Sequence, residues 1–165
     1  MLNTVKYKSP FGAITIQEKD GAIFRICLPN EEPNTAENLP EHTTELLKNA
    51  KKQFAEYFGG KCKVFDLPLN FYGCTEFMKS VYQELLKIPY GEMASYKQIA
   101  GRVGCPKGYR AVGLANNKNP LPIIVPCHRV IGSDGSMTGY RGGIDMKIKL
   151  LELERNNFVE FKLNV

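Results

Sequence analysis

The sequence predicts an α+β protein in two parts, an α/β support domain over residues 1–70 and a mostly helical domain over residues 75–165. Three observations carry that reading. Alternating runs and turn residues fill residues 4–28, helix-period apolar stripes dominate after Thr75, and a change of pattern at residues 61–74 separates the two. With 165 residues and 43% hydrophobic content, the chain can bury a core as one domain or as two small ones.

In the first part, residues 4–8 alternate, Ser9-Pro10-Phe11-Gly12 turns, residues 13–18 alternate, Lys19-Asp20-Gly21 turns, and residues 22–28 resume. Asp-Gly between alternating runs marks a tight hairpin, because both residues tolerate positive φ. Residues 29–42 form a polar loop rich in Pro, Asn and Glu. Thr43 or Thr44 then caps a helix with Leu46, Leu47, Ala50, Phe54 and Phe58 on its apolar face, closed by Gly59-Gly60. Residues 63–69 read as a further strand. No catalytic constellation stands out here.

In the second part, Thr75 heads a helix over residues 76–88, with Phe77, Val81, Leu85 and Ile88 on one face, and Pro89-Tyr90-Gly91-Glu92 breaks it. Ser95 and Gln98 form a capping box before Ile99, Ala100 and Val103. After the turn Gly104-Cys105-Pro106-Lys107, residues 109–117 make the next helix. Two short helices around a glycine-containing turn outline a helix-turn-helix, whose second helix would meet DNA. Ala111, Gly113 and Ala115 give that helix a slim surface suited to a narrow groove, and Arg110 and Lys118 stand near its ends.

Charge separates the two parts. Residues 1–74 carry nine Lys/Arg and nine Asp/Glu, net zero, while residues 75–165 carry thirteen against eight, which accounts for the whole excess of +5. A basic second part suits an anionic partner, and nucleic acid is the commonest. No uncharged apolar run approaches the roughly 20 residues of a spanning helix. Residues 1–8 are polar and alternating, unlike a secretory leader. Five cysteines without C-x-x-C spacing, beside only His42 and His128, make neither a full disulfide framework nor a local zinc site. The expectation is a soluble cytoplasmic protein with reduced thiols and no membrane or metal requirement.

The most informative stretch is Ile123-Ile124-Val125-Pro126-Cys127-His128-Arg129-Val130-Ile131. Its apolar lead-in reads as a strand, which Pro126 ends by lacking an N–H, so Cys127 is expected at a strand-end turn that lifts its side chain out of the core. A thiol attacks as thiolate, and the adjacent His128 and Arg129 are the groups expected to lower its pKa. The competing reading is a small buried cysteine beside a satisfied histidine.

Pro126-Cys127-His128-Arg129-Val130, with Arg110-Ala111-Val112-Gly113 upstream and Asn119-Pro120 between, resembles the O6-alkylguanine-DNA alkyltransferase (methylated-DNA–protein-cysteine methyltransferase) family. The match continues through Gly91-Glu92, Ser95-Tyr96, Gly139-Tyr140-Arg141-Gly142-Gly143 and Leu150-Leu151-Glu152-Leu153-Glu154, in family order and spacing. The resemblance implies an N-terminal ribonuclease-H-like α/β domain and a C-terminal winged helix-turn-helix domain. It implies single-turnover repair in which Cys127 takes the alkyl group from O6-methylguanine flipped out of duplex DNA through the minor groove, leaving O4-methylthymine open as a substrate. By the same resemblance, His128 is the base and Glu154 orients it. Tyr96 assists flipping and the leaving guanine, Tyr140 contacts the extruded base, Arg110 fills the vacated stack, and Asn119 braces the active-site turn. Ala111, Gly113 and Ala115 would lie along the DNA. No cofactor and no obligate protein partner are implied, and the protein would act as a monomer.

Two positions depart from the family pattern. Arg155 follows Glu154 where many members carry a small residue, and Arg141 stands beside the base pocket where others often have Ser. Two other functions fit the outline: a non-catalytic binder of alkylated bases, and a helix-turn-helix regulator whose Cys127 senses alkylation or oxidation. The presence of Cys127 weighs against the first, and the lack of a heptad run or effector module against the second.

Overall fold

Alternation at the start of the chain folds into an antiparallel sheet of order β1-β2-β3, where β1 is Leu2–Ser9, β2 Gly12–Lys19 and β3 Ala22–Cys27. The computed structural model describes residues 2–31 and 42–163, with 159–163 as backbone only, so most of the expected polar loop lies outside the described residues. The chain divides into two compact units, Met1–Tyr72 and Gly73–Val165.

In the first unit, Lys19 pairs with Ala22, which leaves Asp20 (φ 52) and Gly21 (φ 77) as a two-residue loop. Positive φ at both positions gives the twist that a tight hairpin needs. β2 is the central strand and is buried on both faces from Ile14 to Glu18. Thr44, with extended backbone, caps helix α1 (Glu45–Phe58) by accepting the Leu47 N–H at 3.1 Å, and its hydroxyl donates to Glu18. Leu47, Ala50, Phe54, Tyr57 and Phe58 form the buried face of α1. The strand expected over residues 63–69 does not form. Leu69 makes one isolated bridge to Ile23, and Pro68 beside it has no N–H with which to extend a ladder. The segment is clipped to α1 instead: Gln53 donates to Asp66 O at 2.9 Å and accepts from Asp66 N at 2.8 Å.

The second unit opens with α2 (Glu76–Leu85), capped by Thr75. It stops short of the expected Ile88 because a residue before proline is disfavoured in the α region, and the chain tightens into a turn ahead of Pro89. The Ser95–Gln98 capping box is made in both directions and starts α3 (Tyr96–Arg102). α4 (Tyr109–Asn117) packs against both α2 and α3, and Tyr82 of α2 donates to Ala115 O at 2.8 Å. Two short parallel strands, β4 (Ala94–Ser95) and β5 (Val130–Ile131), join the start of α3 to the segment after Cys127. α5 (Ile144–Leu163) closes the unit and turns Met146, Lys147, Leu150 and Glu154 inward.

Candidate active site

Residues 121–130 are all buried, and the strand expected at 123–125 is absent. Ile123 has φ 73, a left-handed conformation that costs a β-branched residue on the order of 1–3 kcal/mol and breaks any ladder. Asn119 holds this kinked loop in place. Its Nδ2 donates to Val125 O at 2.8 Å and its Oδ1 accepts from Leu121 N at 2.9 Å. Asn116 adds a bond from Nδ2 to Cys127 O at 3.2 Å. Cys127 then begins a 3-10 turn, Cys127–Arg129, with its N–H on Val125 O at 2.8 Å.

This geometry corrects two expectations. Cys127 is 3% exposed, so the turn holds it in the core and does not lift it out. Burial pushes the thiol pKa up, opposed by the Asn119 side chain and by the charges of Arg141 and Lys147. Arg129, expected to activate the thiol, faces Glu154. Its Nε donates to Oε1 at 2.7 Å and its Nη2 to Oε2 at 3.2 Å, while Nη1 donates to Ile88 O at 2.7 Å.

Glu154 is fully buried and also takes His128 Nε2 at 2.5 Å and the Gly91 N–H at 3.4 Å. Gly91 has φ 80, and a Cβ there would stand 2.9 Å from Phe158, so the backbone can reach the carboxylate at this point only without a side chain. Burial alone would raise the Glu154 pKa, but His128 and Arg129 together hold it well below the ordinary carboxylate range. Burial holds the His128 pKa down despite Glu154, helped by the positive charges of Arg129 and Lys147. A neutral imidazole donating from Nε2 to Glu154 leaves the Nδ1 lone pair as acceptor, and Nδ1 is buried with no protein partner. His128, next to Cys127 in the chain, therefore presents one nitrogen open to a hydrogen-bond donor.

Tyr96 lies within electrostatic reach of Cys127. Its hydroxyl donates to Thr138 O at 3.0 Å, and its ring is 3.9 Å from where a Cβ on Gly113 would lie. Burial raises the Tyr96 pKa, so the phenol is a proton donor. Lys147 shares the Thr138 carbonyl at 3.1 Å, donates to Val130 O at 2.6 Å, and places Nζ 5.8 Å from the Tyr96 ring centroid. Its ammonium is buried, and desolvation lowers its pKa while the Cys127 thiolate would raise it.

Tyr140 is buried and Arg141 half-buried, and Arg141 acts electrostatically on Cys127. Arg110 and Ala111 are exposed on α4, away from the buried cluster. Ala115 departs from its expected place on the DNA-facing surface: it is 3% exposed, on the inward stripe with Val112 and Asn116. At 100° per residue it falls one turn from Val112, so Leu114 takes the outward position. Sequence reading missed Lys147 and the Arg129–Glu154 pair. Their signal was polar residues on the apolar stripe of α5, where Lys147 and Glu154 flank Leu150 at helical spacing.

Residues 4–71 match the family model described as 6-O-methylguanine DNA methyltransferase, ribonuclease-like domain, and residues 76–156 match the DNA binding domain of the same description. A Bacillus subtilis constitutive methylated-DNA–protein-cysteine methyltransferase is 45% identical over 158 residues, covering 93% of this chain and 95% of the relative. The chain belongs to the 6-O-methylguanine DNA methyltransferase family. A Methanosarcina barkeri methylated-DNA–protein-cysteine methyltransferase is 56% identical over 113 residues, 68% of this chain and 71% of that one. The crystal structure of Mycobacterium tuberculosis OGT in complex with DNA superposes with a TM-score of 0.83 at 41% identity, covering 94% of this chain and 93% of that chain. The two-domain methyltransferase architecture expected from the sequence is therefore the one this chain has.

Proposed function

We infer that this protein repairs O6-alkylguanine in duplex DNA by moving the alkyl group irreversibly onto Cys127, one lesion per molecule. The observation that carries this reading is the buried Cys127 thiol followed in the chain by His128, whose Nε2 is held on the Glu154–Arg129 pair and whose Nδ1 is an open acceptor. His128 takes the thiol proton, directly or through one water, and Glu154 stabilises the imidazolium that forms. Cys127 Sγ then attacks the alkyl carbon opposite O6. The S–C bond forms as the C–O6 bond breaks, the electron pair leaves with guanine, and Tyr96 supports protonation of the departing base. Overall the thiol hydrogen is exchanged for the alkyl group, and the thioether offers no route back to thiolate.

Reaching a base inside a duplex requires flipping it out, at a cost of a few kcal/mol. Arg110, exposed on α4, fills the vacated stack in this reading, while Tyr140 and Arg141 line the base pocket. Asn119 holds the turn, and Ala111 and Gly113 let α4 approach the minor groove. The domain over residues 75–165 carries binding and chemistry, and residues 1–70 support it. The protein works as a cytoplasmic monomer. The test is incubation with a duplex containing O6-methylguanine and weighing of the Cys127 peptide. A stoichiometric gain of one methylene mass, lost in Cys127→Ser, is expected; an unmodified peptide after full incubation refutes the reading.

A further inference from the structure

We propose that Leu114 is a DNA contact, an apolar side chain that packs on the deoxyribose walls of the minor groove one turn along α4 from Arg110. This rests on the DNA-repair reading above and adds a residue to it.

Leu114 is 57% exposed. A lone exposed leucine is ordinary on a protein surface, so its surroundings decide the matter. On α4 the inward stripe is Val112, Ala115 and Asn116, and the outward residues include Arg110, Ala111, Leu114 and Asn117. Leu114 is four residues from Arg110 and three from Ala111, so the three share one face. On that face it is the one bulky apolar group, beside the alanine and next to Gly113, whose missing side chain faces Tyr96.

Charge names the occupant. Between Glu92 and Asp134 the chain has no acidic residue, while Lys97, Arg102, Lys107, Arg110 and Lys118 are all exposed there. A leucine on a cationic, carboxylate-free helix face suits a polyanion with apolar sugar edges, and an acidic protein partner would leave the small-residue approach surface without purpose. Minor-groove proteins commonly set apolar side chains against or between base steps while cations hold the phosphates. A second copy of this chain would place like charges against each other.

An apolar contact and an ionic contact differ in their salt response. Losing a phosphate contact flattens the log–log salt slope by about 0.9, whereas losing buried apolar area weakens binding equally at every salt concentration. The experiment measures duplex affinity across a salt series for the parent, Leu114→Ala, Leu114→Met and Lys118→Ala. Single-turnover transfer from O6-benzylguanine, which needs no DNA, is measured on the same proteins. Leu114→Ala should bind about tenfold more weakly with an unchanged slope, the scale of one large apolar side chain leaving water. Leu114→Met should bind like the parent, and free-base transfer should be intact in both. Alanine is the stronger helix former, so α4 persists in the variant. Parental affinity in Leu114→Ala, or a flattened slope, overturns the proposal. Failure of the parent to bind duplex or to take the methyl group from O6-methylguanine in duplex overturns the repair reading itself, which keeps the two failures distinct.

Discussion

Replacing Glu154 with Gln should uncouple stability from chemistry. The carboxylate receives His128 Nε2 at 2.5 Å, Arg129 Nε at 2.7 Å, Arg129 Nη2 at 3.2 Å and the Gly91 N–H at 3.4 Å. An amide keeps one acceptor oxygen and turns an NH₂ toward these donors, leaving the Arg129 guanidinium charged in a site where its side chain is 8% exposed. Breaking a buried pair from one side costs about 3–5 kcal/mol. At about 2–4 °C per kcal/mol for a chain of this length, the melting temperature should fall by roughly 10 °C. Transfer should slow about a hundredfold or more on O6-benzylguanine and on duplex alike, because the base loses the group that orients it. The double variant Glu154→Gln, Arg129→Met removes the stranded charge, so it should regain part of the stability and none of the rate. Thermal melts and single-turnover kinetics on the three proteins read both quantities. If Glu154→Gln melts with the parent, or the double variant regains its rate, the network does not act as described.

Three further outcomes follow from the same geometry. Arg110→Ala should strongly slow repair in duplex and leave O6-benzylguanine transfer nearly unchanged; equal slowing on both substrates makes Arg110 structural. Folded-state pKa values of His128 and Glu154 lie below their unfolded values, so the stability they confer is present above the unfolded values and is lost as pH falls. Chemical denaturation should therefore show stability declining below about pH 6.5, as the unfolded chain takes the proton that folded His128 refuses, and declining further near pH 4 as the unfolded carboxylate protonates. A flat profile from pH 7 to 4 contradicts the assignment. In alkylation by iodoacetamide with the native protein, exposed Cys105 should react well before Cys127, whose thiol is buried with a raised pKa. Peptide mapping over time gives the order, and first labelling at Cys127 would rule out the buried resting state.

Local rules suffice for much of the fold. Asp20-Gly21, Thr44, Thr75 and the Ser95–Gln98 box each mark an element boundary through groups within a few residues, and each forms where its chemistry requires. Residues 63–69 and 123–125 look like strands by the same reasoning and are not. Strand pairing needs a partner ladder, and Pro68 in one case and the Ile123 kink in the other deny it.

The sequence by itself determined the caps, the helix-turn-helix outline, the basic second part and the motif around Cys127, because all of these are set by neighbouring residues and by composition. Only the tertiary structure decided that Arg129 belongs to Glu154 and not to Cys127, that Lys147 is an inward ammonium beside Tyr96, and that Leu114 faces outward where Ala115 does not. Residues 25 positions apart meet at that carboxylate. Whether a charge is a base, a counter-ion or a surface group depends on what surrounds it in space, since burial and partners set its pKa and its reach.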